Sequence, residues 1–107
     1  MRNVLFICSQ NRLRSPTAEE VFSDWPNIET DSAGLDAQAN VPLSSEQVEW
    51  ADLIFVMEKT HRKRLSTKFR PYLRNKQIIC LDIPDDYDFM QPELINLLLA
   101  KVSRFLT

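Results

Sequence analysis

Two cysteines and one histidine in 107 residues leave little for the chemistries that depend on them. Cys8 and Cys80 cannot build a disulfide framework, and His61 alone, with no C-x-x-C pair anywhere, does not make a zinc site. No metal and no cofactor is therefore expected. Long hydrophobic runs are missing as well. The first apolar run covers only Val4 to Ile7, far short of the roughly 20 residues that span a bilayer, and no signal-like segment precedes it. A strong charge of either sign is also lacking: the net is −2, which by itself says little about partners. These absences predict a cytoplasmic chain with reduced thiols and no membrane association. The length fits one domain, 1–107, with a modest core.

What charge there is lies unevenly. Residues 59–76, "KTHRKRLSTKFRPYLRNK", hold eight of the thirteen lysines and arginines and no acid. Lys59, Arg62, Lys63, Arg64, Lys68, Arg70, Arg74 and Lys76 could meet phosphates along a polyanion. The plainer reading of such a run is a solvated helix face, so a nucleic-acid partner is not expected.

Strand and helix signals alternate along the chain. Val4–Ile7 is a continuous apolar run, the pattern of a strand covered on both faces. A helix follows, with Ser15 at its N-cap, Pro16 at its first position and Glu19 and Glu20 near its positive end; Pro26-Asn27 stops it. Ile28–Ser32 reads as a polar strand near an edge, and residues 35–43 as a loop. Ser44 with Gln47 reads as a capping box for a short helix through Trp50. "DLIFVM" (52–57) is the third strand, and the basic segment is a helix ending before Pro71. "QIICLDI" (77–83) is the fourth strand, placing Cys80 in the core. After the acidic loop "PDDYDFMQ", Pro92 opens a last helix, with Leu94, Ile95, Leu98, Leu99, Val102, Phe105 and Leu106 at helical spacing. The fold class is α/β: a four-stranded doubly wound parallel sheet, order 2-1-3-4, with helices on both faces. Its switch point, where such sheets bind ligands, falls beyond the carboxyl end of strand 1. Cys8 stands there.

Between Cys8 and Arg14 lie five residues, then Ser15. A loop this short can turn the N–H groups of Ser9, Gln10, Asn11, Arg12 and Leu13 inward as an anion nest, with the following helix adding its positive end. Arg14 can grip two oxygens of a tetrahedral anion as a fork, a geometry lysine does not offer. The same surroundings favour a thiolate at Cys8: a free thiol near pKa 8.5 can fall to between about 3.5 and 7.5 in such a setting. Ser15 could donate a hydrogen bond to the sulfur as it departs. The constellation predicts a phosphate-binding loop with a sulfur nucleophile facing a phosphoryl group. Cys8 as a small buried hydrophobe, with Arg12 and Arg14 as surface charge, is the bland alternative.

With these residues in view, the chain resembles the low-molecular-weight protein tyrosine phosphatases, whose signature C-x-x-N-x-x-R-S-P joins a strand to a helix. Cys8, Asn11, Arg14, Ser15 and Pro16 match it, as does Ala18-Glu19. "TDSAGL" (30–35) and "ADLIFVME" (51–58) resemble the family's second- and third-strand segments. The likeness looks closest to a short bacterial branch of predicted tyrosine phosphatases. It implies Cys8 as nucleophile, Arg14 as phosphate clamp, Asn11 holding the loop in a left-handed turn, Ser15 steadying the leaving thiolate and Ser32 bonding Asn11 from behind. It further implies a phosphorylated protein or small phosphomonoester as substrate, and phosphate, sulfate or vanadate as ligands of the loop.

A phosphate monoester needs its leaving oxygen protonated, which calls for a carboxylic acid above the nucleophile. In the family this is an Asp followed by Pro before the last helix. No Asp-Pro pair exists here, so Asp85 is the first choice, Asp86 the second and Asp82 the third, with Tyr87 at the pocket mouth. Other departures matter. Gln10 replaces a family glycine and would be strained if that position needs a positive φ. Leu13 replaces a second loop cysteine, so no disulfide can form within the loop. The chain is short between Gly34 and Asp52, which implies an open pocket. Two alternatives remain: a non-catalytic phosphate- or polyanion-binding module, and a thiol arsenate reductase, for which only Cys80 could serve as a further thiol.

Overall fold

The computed structural model describes residues 1–106. Strand β1 (Arg2–Cys8) is followed by α1 (Arg14–Phe22), β2 (Ile28–Gly34), α2 (Ser45–Trp50), β3 (Leu53–Val56), α3 (Lys59–Phe69), β4 (Gln77–Cys80) and α4 (Pro92–Leu106). A 3-10 turn at Arg70–Tyr72 follows α3, where Pro71 ends the helix. The four strands form one parallel sheet in the order β2-β1-β3-β4, as expected.

The apolar run of β1 is explained by burial on both sides. Val4, Phe6 and Cys8 face a cluster built with Ala18 and Phe22 of α1 and Leu94, Leu98 and Val102 of α4. Leu5 and Ile7 face a second cluster with Val48 of α2 and Leu65 and Phe69 of α3. Helices thus cover both faces of the sheet. Phe6 stacks between Phe22 and Phe55, with ring centroids 5.8 and 5.4 Å away. Each such side chain contributes roughly 1.5–3 kcal/mol by leaving water, so β1 and the carboxyl end where Cys8 sits are firmly held. No described helix is long and apolar enough to cross a membrane.

Several boundaries differ from the sequence reading. The fourth strand ends at Cys80, not residue 83, because Asp82 takes a φ of 53° that no strand accommodates. Leu81 and Ile83 still donate backbone N–H bonds to Val56 and Met57, so the chain tracks the sheet while turning. Cys80 is only partly buried, and its thiol lies 3.4 Å from Asp82 Oδ1. In α4, Leu94, Leu98, Val102 and Leu106 are buried, whereas Leu99 is exposed. The basic segment is partly structural: Arg62 donates to the Ile78 carbonyl, and Lys76 Nζ to those of Glu49 and Ala51. The capping box of Ser44 and Gln47 forms as expected.

Candidate active site

The loop joining β1 to α1 is fixed from behind. The carbonyls of Cys8, Ser9 and Gln10 accept hydrogen bonds from the N–H groups of Leu35, Asp36 and Asn40 at 2.9, 2.9 and 3.0 Å. In a trans peptide the N–H points opposite to the carbonyl. The N–H groups of Ser9, Gln10 and Asn11 must therefore point away from the 35–40 segment. Asn11 N–H does donate to Cys8 Sγ, at 3.2 Å. These three amides, turned to the side of the sulfur, are part of the five-amide nest that the spacing predicts.

That close approach depends on the chain's single glycine. Gly34 is the register partner of Cys8, and a Cβ there would lie 2.6 Å from the Ser9 carbonyl oxygen and 2.9 Å from Asn11 N. The left-handed turn of the loop falls on Asn11, with φ 54°, and not on Gln10, so the strain expected at Gln10 does not arise. Asparagine takes this conformation readily.

Ser15 does not cap α1. The helix begins two residues earlier than expected, Leu13 occupies the N-cap without a side-chain bond, and Pro16 stands at the third position, where its missing N–H still costs nothing. The Ser15 hydroxyl is used elsewhere. It lies 2.9 Å from Cys8 Sγ and accepts a hydrogen bond from Asn11 Nδ2 at 2.9 Å. Asn11 Nδ2 spends its second hydrogen on Ser32 Oγ, also at 2.9 Å, and Ser32 donates in turn to Glu19. With Ser15 accepting from Asn11, its own proton has two acceptors in reach, Cys8 Sγ at 2.9 Å and the Ala33 carbonyl at 3.5 Å, and the shorter contact favours the sulfur. Two donors, the Ser15 hydroxyl and the Asn11 amide, thus face a buried Cys8. Leaving the first amides of α1 uncapped keeps them available to an anion.

Arg14 is almost fully buried and pinned on one side. Its Nη1 donates to Glu58 Oε2 at 2.5 Å and to the Ile83 carbonyl at 2.8 Å. The opposite edge, Nε with Nη2, is the one that can fork onto two oxygens. Asp85 Oδ1 stands 3.7 Å from Nε at that edge. Glu58 was not singled out from the sequence, and neither was His61 except as an absent zinc site. His61 Nδ1 accepts from Glu58 N–H at 3.1 Å, so Nε2 carries the proton and donates to Ser9 Oγ at 2.9 Å. One turn at the start of α3 therefore holds both ends of the loop, Ser9 through His61 and Arg14 through Glu58. Burial, helped by the Arg14 charge, lowers the His61 pKa to about 4, so the ring is neutral near pH 7.

A cavity of about 530 Å³ opens over the loop, lined by Cys8, Ser9, Gln10, Arg12, Leu13, Arg14, Asp36, Arg64 and Asp85. Asp85 is the one candidate acid on its wall. Asp82 faces a different depression beside Glu58 and Lys59, and Asp86 lines no part of the Cys8 cavity. Tyr87 does not stand at the mouth; it packs against the core cluster under α4. Asn11, Ser15 and Ser32 sit behind the loop and support it from inside. Asp36 and Arg64, joined at 2.7 Å, complete the rim, and neither was expected there.

No protein-family model matches the chain. A protein-arginine-phosphatase of Bacillus subtilis (strain 168) is 27% identical, the match covering 65% of this chain and 65% of that protein. The match thus spans just under two-thirds of that curated relative. Among solved structures, the low molecular weight protein tyrosine phosphatase of T. tengcongensis superposes with a TM-score of 0.83 at 20% identity, over 99% of this chain and 98% of that one. Wzb of Vibrio vulnificus, solved in complex with benzylphosphonate, gives a TM-score of 0.77 at 25% identity, over 97% and 96% of the two chains. The fold is that of the low-molecular-weight protein tyrosine phosphatases, in agreement with the resemblance carried by the loop.

Proposed function

We propose that this chain hydrolyses phosphate monoesters, on a protein or a small aryl phosphate, through a phosphocysteine at Cys8. The observation that carries the reading is the convergence on one sulfur of the Ser15 hydroxyl, the Asn11 amide and, across one cavity, Arg14 and Asp85. Benzylphosphonate in the Vibrio vulnificus relative is in keeping with a tetrahedral anion over such a loop.

In the first step the Cys8 thiolate attacks phosphorus in line. The loop amides and the Nε–Nη2 edge of Arg14 hold the equatorial oxygens, and the P–O bond to the leaving group breaks as Asp85 transfers its proton to that oxygen. Asp85 is suited to this by position, since it shares the cavity wall with Cys8 and Arg14. In the second step water loses a proton to the Asp85 carboxylate and attacks phosphorus. The S–P bond breaks, and Ser15 and Asn11 receive the returning thiolate with their hydrogen bonds. Phosphate leaves. Asn11, Ser32 and Glu19 keep Ser15 aimed, while Glu58 keeps Arg14 aimed.

The test is turnover of aryl phosphates by the wild type, Cys8→Ser and Asp85→Asn. Loss of activity in Cys8→Ser is expected. Asp85→Asn should lose about 10²–10⁴-fold with a poor leaving group and far less with a good one. Full activity in Cys8→Ser overturns the reading. A leaving-group-independent effect at Asp85 removes it as the acid. The kinship with an arginine phosphatase makes a phosphoarginine peptide the natural second substrate to assay.

A further inference from the structure

We propose that the cleft running on from the Cys8 cavity holds a second anionic group of the substrate, a phosphoryl or a carboxylate, between Arg12 and Arg64. The proposal rests on the phosphatase reading and narrows its substrate class to esters that carry a further negative charge near the scissile phosphoryl.

The cleft has a volume of about 390 Å³; Gln10, Arg12, Asp36 and Arg64 belong to both its wall and that of the Cys8 cavity, and Ala37 and Gln38 extend it outward. A substrate seated on the sulfur would thus lie beside this wall. The two arginines of the loop are employed differently. Arg14 is buried and fastened by Glu58 and the Ile83 carbonyl. Arg12 is exposed, and its guanidinium makes no hydrogen bond or ion pair among the described residues. It has no structural task that would account for a full charge at the lip of the pocket.

Arg64 approaches from α3 and is steadied there. Its Nη2 donates to Asp36 Oδ1 at 2.7 Å, and the Asp36 N–H donates to the Ser9 carbonyl at 2.9 Å, so the guanidinium is tied to the phosphate loop itself. Asp36 neutralises one of the two cations. The cleft keeps a surplus positive charge, with the Gln10 and Gln38 amides as further donors. Two guanidinium groups suit an oxyanion, which each can grip as a fork. They also offset the repulsion between that anion and the phosphoryl dianion next to it, and they disfavour a cationic neighbour.

The experiment compares kcat/KM for matched pairs of substrates in the wild type, Arg12→Gln, Arg64→Gln and the double variant. One pair is a phosphotyrosyl peptide flanked by Glu against the same peptide flanked by Gln; the other is phenylene bisphosphate against phenyl phosphate. Because each result is a ratio, a general loss of activity cancels. The wild type should prefer the more anionic member of at least one pair by about tenfold, the order expected of one or two partly exposed charge-assisted contacts. The preference should shrink as salt is raised. It should fall several-fold in each single variant and vanish in the double one. Preference within the peptide pair identifies carboxylates as the recognised group, and preference within the bisphosphate pair a second phosphoryl. Wild-type ratios near one, or ratios unchanged in the double variant, overturn the subsite while leaving the phosphatase reading intact. Failure to turn over any of the four esters overturns that reading and the subsite with it.

Discussion

Glu58 Oε2 accepts a hydrogen bond from Arg14 Nη1 at 2.5 Å, across 44 residues of sequence, and this pairing fixes the guanidinium in the wall of the cavity that Cys8 also lines. Glu58→Ala should lower kcat/KM for an aryl phosphate by about 10–100-fold, because a displaced fork is costly in a preorganised site. Glu58→Gln keeps an acceptor oxygen and should recover part of the loss. Since Glu58 is 39% exposed, the stability lost should be about 1–2 kcal/mol, below the ~3–5 of a fully buried broken pair. Urea melts and steady-state kinetics on the same preparations separate the two effects. Unchanged kinetics in Glu58→Ala would exclude the aiming role.

His61 makes stability depend on pH in a defined window. Its pKa in the fold is about 4, against 6.5 for the free side chain. Between these values the unfolded chain binds a proton that the folded one refuses, so stability falls as pH drops from 6.5 toward 4. The loss reaches about 2 kcal/mol by roughly pH 5 and about 3 at the lower limit. His61→Gln should be less stable near pH 7 and should lack this share of the slope. Equal slopes in the two proteins would show that the buried ring does not titrate as described.

Gly34→Ala tests the close contact behind the loop. The added methyl carbon would meet Ala39 Cβ at 2.5 Å as well as the Ser9 oxygen and Asn11 nitrogen at 2.6 and 2.9 Å. Overpacking of this kind costs about 1–3 kcal/mol, and here it pushes directly on the nest. Activity should fall by more than about tenfold, out of proportion to the change in stability. Ala39→Gly added to the same chain relieves one contact of the three and should rescue stability more than rate.

Legibility in the sequence followed the range of the forces involved. The apolar runs, Ser44 with Gln47, and Pro71 act locally, and they located β1, α2 and the end of α3 within a residue or two. The gathering of Cys8, Asn11, Arg14 and Ser15 in one loop was also legible, because they are close in sequence and the sheet order puts them at the switch point. Ser15 was misread as an N-cap because its local preference yields to Cys8 and Asn11, a functional override of a local rule. Asp82 ended β4 early through a backbone turn that no hydrophobic pattern signals. Glu58, His61, Asp36 and Arg64 reach the site only through tertiary contact. Nothing in the basic run 59–76 distinguishes Arg64, at the cavity rim, from Lys63 beside it.

The most direct measurement is a rapid quench of the wild-type chain with an aryl phosphate, followed by mass mapping of the phosphorylated peptide. The account predicts a transient phosphoryl group on Cys8, formed as fast as the aryl alcohol is released and longer-lived in Asp85→Asn. Steady release of product with no phosphoryl group on Cys8 at any time, or its appearance on another residue, would contradict it.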